Sequence, residues 1–141
     1  QDSDDQVELL KHALKDTRRR YGSSQITILS MKEDRASCAA KLVQSDQDAC
    51  VHSIRVRAQQ AESVPYSTIH AFKGLEAPAV ILTDIDEFGG ERMEALLYIG
   101  MTRARMQLCI LMHESCRKRY EQAVRDGFQS LSGRRRKHGQ S

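Results

Sequence analysis

Apolar positions follow two rhythms along the chain, one helical and one extended. Val7, Leu10 and Leu14, with Ala13 beside them, recur at helical spacing behind Ser3 and Gln6, which fit a capping box, so a helix is predicted over about residues 4–20. Arg18, Arg19 and Arg20 close it with positive charge that complements the helix dipole. Tyr21, Gly22 and the two serines then break the helix, and QITILS, residues 25–30, is a short β-branched run that predicts a buried strand. Glu33 or Asp34 opens a second helix to about Gln44, its apolar face made by Ala36, Ala39, Ala40 and Val43. Residues 51–56 alternate, but Val51 is out of phase with His52, Ile54 and Val56, so periodicity leaves the inward face open. Arg55 and Arg57 are expected toward solvent, and residues 59–65 form a connecting loop.

The second half repeats the alternation more sharply. Residues 67–70 read as a short strand, 71–76 as a turn, and 79–85 as a buried strand. Phe88, Gly89 and Gly90 make a turn before a helix over 91–105, with Met93, Leu96, Leu97 and Gly100 or Met101 as its buried stripe and Thr102, Arg103 and Arg105 in its last turn. An apolar strand over 106–112 follows, then a helix over about 114–129 with Tyr120, Val124 and Phe128 at four-residue steps. Strands alternating with helices in this way predict an α/β sandwich with a mainly parallel sheet. Loops at the ends of parallel strands are where such sheets hold ligands, so Lys73, Glu76, Arg103 and Arg105 fall where an anionic ligand is expected.

A chain of 141 residues makes about one domain and buries a core without disulfides or metal. The net charge of +3 is mostly a tail: Arg134, Arg135, Arg136 and Lys137 are basic, and the body without them is about neutral. The domain is expected over residues 1–131, with 132–141 a disordered basic tail. Four cysteines without a C-x-x-C pair predict a reduced, cytoplasmic protein, Cys109 serving as a small hydrophobe in its strand. Cys109, His113 and Cys116 lack a fourth ligand, and no zinc site is predicted. No long apolar run and no basic-then-apolar N-terminal pattern is present, so membrane insertion and export are not expected.

Two strings in the second half carry a resemblance. STIHAFKGLEAPAVIL, from Ser67, resembles motif V, and EALLYIGMTRARMQL, from Glu94, resembles motif VI, of superfamily 1 helicases of the UvrD/Rep type. They stand in that family's order and spacing, cover about a third of the chain, and are more specific together than either is alone. The resemblance implies a RecA-like three-layer sandwich, the second motor domain of an ATP-dependent DNA helicase or translocase. QITILS resembles the segment before the family's usual large insertion, which only a few tens of residues replace here.

By resemblance, Arg103 matches the arginine that reaches the γ-phosphate, Glu76 the glutamate that accepts from the nucleotide ribose, and Lys73 a lysine near the phosphates. The chemistry agrees: a guanidinium grips developing phosphoryl charge at two points, and a carboxylate accepts from hydroxyls. Gly74 lets the backbone approach phosphate closely. Thr68 and His70 match positions that touch the single-strand backbone, donating to phosphate oxygens. Plainer readings stand beside these. Arg103 can cap its own helix, K-G-L-E can be a simple turn, and a lone histidine at a strand end can be structural. Tyr98 and Thr102 match as well, with packing and holding of the arginine loop as their expected work. Phe72 departs from the family's small residue, and either alters the DNA path or fills an inter-domain surface.

AVILTDIDE, residues 79–87, imitates a Walker B strand, but no G-x-x-x-x-G-K-[ST] and no Gly-Lys pair occurs in the chain. This is the P-loop NTPase-like fold without its P-loop, and Asp84 and Asp86 receive no metal role. ATP and Mg2+ are therefore expected to be held chiefly by a first RecA-like motor domain of the same polypeptide, with this chain alone inactive and the parent stepping 3′ to 5′ along single-stranded DNA. The alternative is a catalytically inactive RecA-like module that binds protein or nucleic acid.

Overall fold

The structure, a computed structural model, describes residues 3–32, 37–46, 50–55, 62–72, 74–85, 91–112, 116–118, 121, 122, 125 and 126. Within them lie the α-helices α1 (Ser3–Arg18), α2 (Cys38–Ser45) and α3 (Glu91–Met101), a short 3-10 helix (Ser23–Gln25), and five strands, β1 (Ile26–Ser30), β2 (Val51–Ser53), β3 (Val64–Thr68), β4 (Ala77–Ile85) and β5 (Ala104–Met112). The strands form one sheet in the order β2-β3-β1-β4-β5, every pair parallel. Central β1 and β4 are buried almost throughout, as strands covered on both faces must be.

The two faces carry separate cores. Val7, Leu10 and Leu14 of α1 and Ala39 and Leu42 of α2 pack with Ile26, Ile28, Ala79 and Ile81 on one side. On the other, Leu97 of α3 joins Ile69, Phe72, Leu29, Val80, Leu82 and Ile85. This is the predicted three-layer α/β/α sandwich with the helices of each layer held by burial of their apolar stripes.

Element boundaries differ from the periodicity in ways the backbone explains. α1 stops at Arg18, where Arg19 N–H and Tyr21 N–H turn back onto Asp16 and Thr17 carbonyls. α2 starts at Cys38, because Ser37 is its cap, its hydroxyl accepting from Ala40 N–H at 3.1 Å. The expected starts at Glu33 or Asp34 lie outside the described residues.

Val64 and Pro65, expected in a loop, belong to β3. The ladder toward β2 uses the Val64 N–H and the Tyr66 carbonyl, and pairing with β1 begins at Tyr66, so the missing proline N–H leaves no gap. Pro78 falls where the β4–β5 register shifts between Ala77 and Ala79, another place where a ladder bond is dispensable.

The largest revision concerns α3, which ends at Met101 rather than running to Arg105. Thr102 N–H and Arg103 N–H close the last turn onto Tyr98 and Gly100 carbonyls, and the Arg103 carbonyl already accepts from Ala77 N–H at 3.0 Å. Arg105 is thus an exposed residue of β5 and not part of a helical arginine turn. Beyond β5, the described residues among 116–126 are helical, in keeping with the predicted last helix, while the tail at 132–141 lies outside the described residues.

Candidate functional site

The segment after β3 runs from one edge of the sheet to the other. Thr68 ends β3 at the C-terminal edge, whereas Glu76 immediately precedes β4 and Arg103 immediately precedes β5, at the N-terminal edge. The sequence places Lys73, Glu76 and both arginines at strand ends without saying which edge. Parallel topology separates two groups: Thr68 and His70 at one edge, Glu76 and Arg103 at the other.

Thr68 ends its strand by capping the turn that follows. Its Oγ1 accepts from Ala71 N–H at 3.1 Å and its carbonyl accepts from Phe72 N–H at 3.2 Å. The hydroxyl itself carries a proton it can donate. His70 is exposed beside it. Between them Ile69 is buried, its N–H bonded to the Ser30 carbonyl at 3.1 Å, so the DNA-matching positions alternate around a core residue. Phe72 points inward too, at 4% exposure in the α3-side core. It fills this domain and lines neither a DNA path nor an inter-domain surface.

At the opposite edge the two motif turns are joined by Arg103. Its Nη1 donates to the Leu75 carbonyl, its Nε to the Ile99 carbonyl and its Nη2 to Thr102 Oγ1, each at 3.3 Å. The bond to Ile99 caps the arginine's own helix, so the plainer reading of Arg103 is present. It occupies only part of the guanidinium, since Nη1 and Nη2 each keep a second N–H that can serve an anion. Glu76, next to Leu75, is exposed on the same turn. Gly74 has a φ of +82°, and nothing lies within 4 Å of the place a Cβ would occupy. The left-handed backbone, not crowding, is what calls for glycine there. Lys73 lies outside the described residues.

Large apolar side chains on the segments flanking these turns are exposed. Leu75, Tyr98, Ile99 and Met106 are 48%, 69%, 39% and 75% exposed. Tyr98, expected to pack or to hold the arginine loop, is among the exposed ones and is not part of the core. A chain this size keeps scattered exposed apolar residues, and these four lie on the segments that lead into and out of the two turns.

Asp84 is a residue that sequence reasoning left without a role. It sits at a φ of +65° and 5% exposure near the end of β4. Ser30 Oγ and Thr83 Oγ1 donate to its Oδ2 at 2.6 and 2.8 Å, and Cys38 N–H, at the start of α2, donates to Oδ1 at 2.9 Å. A carboxylate so enclosed joins β1, β4 and α2 and does not fit a magnesium ligand. The pattern that could have drawn attention to it is an acidic residue inside an otherwise apolar strand. Burial, with the Asp84 charge second, pushes the neighbouring Cys38 thiol from 9.0 up to about 12. Burial also lowers His52, whose Nδ1 is 2.7 Å from Ser63 Oγ, and raises Cys109 with the help of Asp16. A cavity of about 290 Å³ lined by Arg18, Tyr21, Gly22, Ser23, Cys50 and Glu62 includes none of the motif residues.

The class these features define is a RecA-like α/β domain that presents an arginine and a glutamate at one sheet edge and strand-end polar groups at the other. Residues 64–111 match the UvrD-like helicase C-terminal domain, so the family read from the two motifs is also the family whose model fits them. The fold is similar to the structure of the C-terminal domain of a possible DNA helicase from Lactobacillus plantarum WCFS1, with a TM-score of 0.55 and 21% identity. That similarity covers 75% of this chain and 65% of the other. No curated protein matches the chain. Among the described residues no helix is long and apolar enough to cross a membrane.

Proposed function

We propose that this chain is the second motor domain of an ATP-dependent DNA helicase or translocase. In this reading Arg103, Glu76, Gly74 and Lys73 complete an ATP site whose phosphate loop and magnesium ligands belong to a first motor domain. Thr68 and His70 contact single-stranded DNA. The observation that carries the reading is the bond from Arg103 to the Leu75 carbonyl, which joins the two motif turns, with Leu75, Tyr98, Ile99 and Met106 exposed on the segments that flank them.

Each residue has work suited to its geometry. ATP hydrolysis puts charge on the transferred phosphoryl oxygens, and the remaining Nη1 and Nη2 protons of Arg103 bind such oxygens without loss of the guanidinium's own proton. Its other bonds hold the fork ready, so less freedom is lost when the anion arrives. Glu76 accepts from ribose hydroxyls. The exposed apolar side chains seat the first motor domain, excluding water from the cleft and strengthening the charge interaction there. Closure of that cleft moves the edge that bears Thr68 and His70, which is how turnover becomes stepping along the strand. The domain alone lacks the phosphate cradle and is inactive.

The test is ATP turnover stimulated by single-stranded DNA in the full-length protein, native against Arg103→Ala. A loss of roughly a thousandfold or more, with folding and DNA binding kept, supports the finger. Native turnover in the variant removes Arg103 from the mechanism and returns it to helix capping, whereas a full-length protein without any turnover favours the inactive-module reading.

A further inference from the structure

Thr102 stands between the end of α3 and the guanidinium that follows it. Its Oγ1 is 2.7 Å from the Ile99 carbonyl oxygen and 3.3 Å from Arg103 Nη2. A carbonyl has no proton to give and a guanidinium no lone pair to offer, so the directions of both bonds are settled by chemistry alone. The hydroxyl proton goes to Ile99, and an oxygen lone pair faces Arg103. Ile99 anchors the arrangement twice, because its carbonyl also accepts from Arg103 Nε at 3.3 Å.

We propose that Thr102 is a positioning residue for Arg103, its hydroxyl fixing the orientation of the guanidinium fork toward phosphate; the proposal rests on the reading of Arg103 as the finger. Three features make the hydroxyl the adjustable part of the site. The other acceptors, the Leu75 and Ile99 carbonyls, are backbone and set only two corners of the guanidinium plane. Without the third, the plane pivots about the Nε–Ile99 and Nη1–Leu75 bonds, and the protons left for phosphate turn with it. Thr102 is itself exposed, so its hydroxyl is not needed to satisfy a buried partner. Its branched side chain has few staggered positions, which holds Oγ1 in place before any ligand arrives.

The experiment measures kcat and KM for ATP in the full-length protein with saturating oligothymidylate. Thr102→Val and Thr102→Ala are expected to lower kcat about tenfold with KM little changed, as a small misplacement of a transition-state group does. Thr102→Ser, which keeps the hydroxyl, is expected to stay within about twofold of native. In an Arg103→Ala background Thr102→Val is expected to change nothing further, because the group it positions is gone. Native kcat in Thr102→Val, failure of Thr102→Ser to restore turnover, or an equal loss in the Arg103→Ala background would each overturn the positioning role. Native kcat in Arg103→Ala alone overturns the finger reading beneath it, and that single variant separates the two failures.

Discussion

The Leu75 carbonyl accepts from Arg103 Nη1 at 3.3 Å, so two turns 28 residues apart in sequence share one bond at the edge of the sheet. Ala77 N–H and the Arg103 carbonyl form a second link at 3.0 Å, the first rung of the β4–β5 ladder. The backbone of each turn is thus held by the other, and Arg103 is placed by strand pairing as much as by its own helix.

Because its guanidinium is held at three nitrogens, charge alone does not replace it. Arg103→Lys is expected to fold normally and to lose turnover on the order of a hundredfold, since a point charge on a flexible stem cannot reproduce the fork. Steady-state kcat beside a melting curve checks this, and near-native kcat would mean that only the positive charge matters.

Gly100 sets how closely α3 lies on the sheet. A Cβ there would sit 2.8 Å from Leu82 Cδ2 and 3.0 Å from Ile69 Cδ1, both on fully buried side chains. Gly100→Ala is therefore expected to destabilise the fold by about 1–3 kcal/mol despite alanine's better helix propensity. Urea denaturation gives the difference, and a variant as stable as native would show that α3 slides without cost.

Asp84 brings a second stability test. Asp84→Ala leaves the Ser30 hydroxyl and the Cys38 N–H without their carboxylate acceptor and the Thr83 hydroxyl with only the Leu29 carbonyl at 3.3 Å, while keeping an L side chain at positive φ. A cost on the order of 3 kcal/mol or more is expected. Asp84→Gly removes the same bonds but relieves the backbone, and should be less harmful by about 1 kcal/mol. Equal stability of the two variants would remove backbone strain from the account.

Cys38 makes stability depend on alkaline pH. Its folded pKa, about 12, lies above the ordinary 9.0, so the folded chain holds the thiol proton longer than the unfolded one. The associated stability is complete below about pH 9 and is lost as pH rises toward 12, because only the unfolded state releases the proton in that window. Cys38→Ala should then show a shallower fall in unfolding free energy between pH 9 and 11 than the native chain. Parallel slopes for the two would contradict the burial of the thiol.

Much of the fold was legible in local patterns. QITILS and the 79–85 run were readable as strands because burial on both faces selects continuous β-branched and apolar residues. The stripe of Val7, Leu10 and Leu14 was readable because a helix must keep one face in the core. Boundaries were less legible: the end of α3 depends on Ala77 capturing the Arg103 carbonyl, a bond to a residue far along the chain. The burial of Phe72 and the exposure of Tyr98 were illegible for a similar reason. Whether an aromatic side chain is covered depends on what another element brings over it, and Phe72 lies in the core with Leu97 while Tyr98 faces outward.

By itself the sequence determined the alternation of elements, the parallel α/β class and the two motif strings, because each rests on periodicity or on residue types at short spacing. Only the tertiary structure decided that Thr68 and Arg103 stand at opposite sheet edges, that Leu75 and Thr102 hold the guanidinium, and that Asp84 closes three elements together. Those relationships come from strand order and from bonds between residues distant in sequence, and both are fixed by how the whole chain packs.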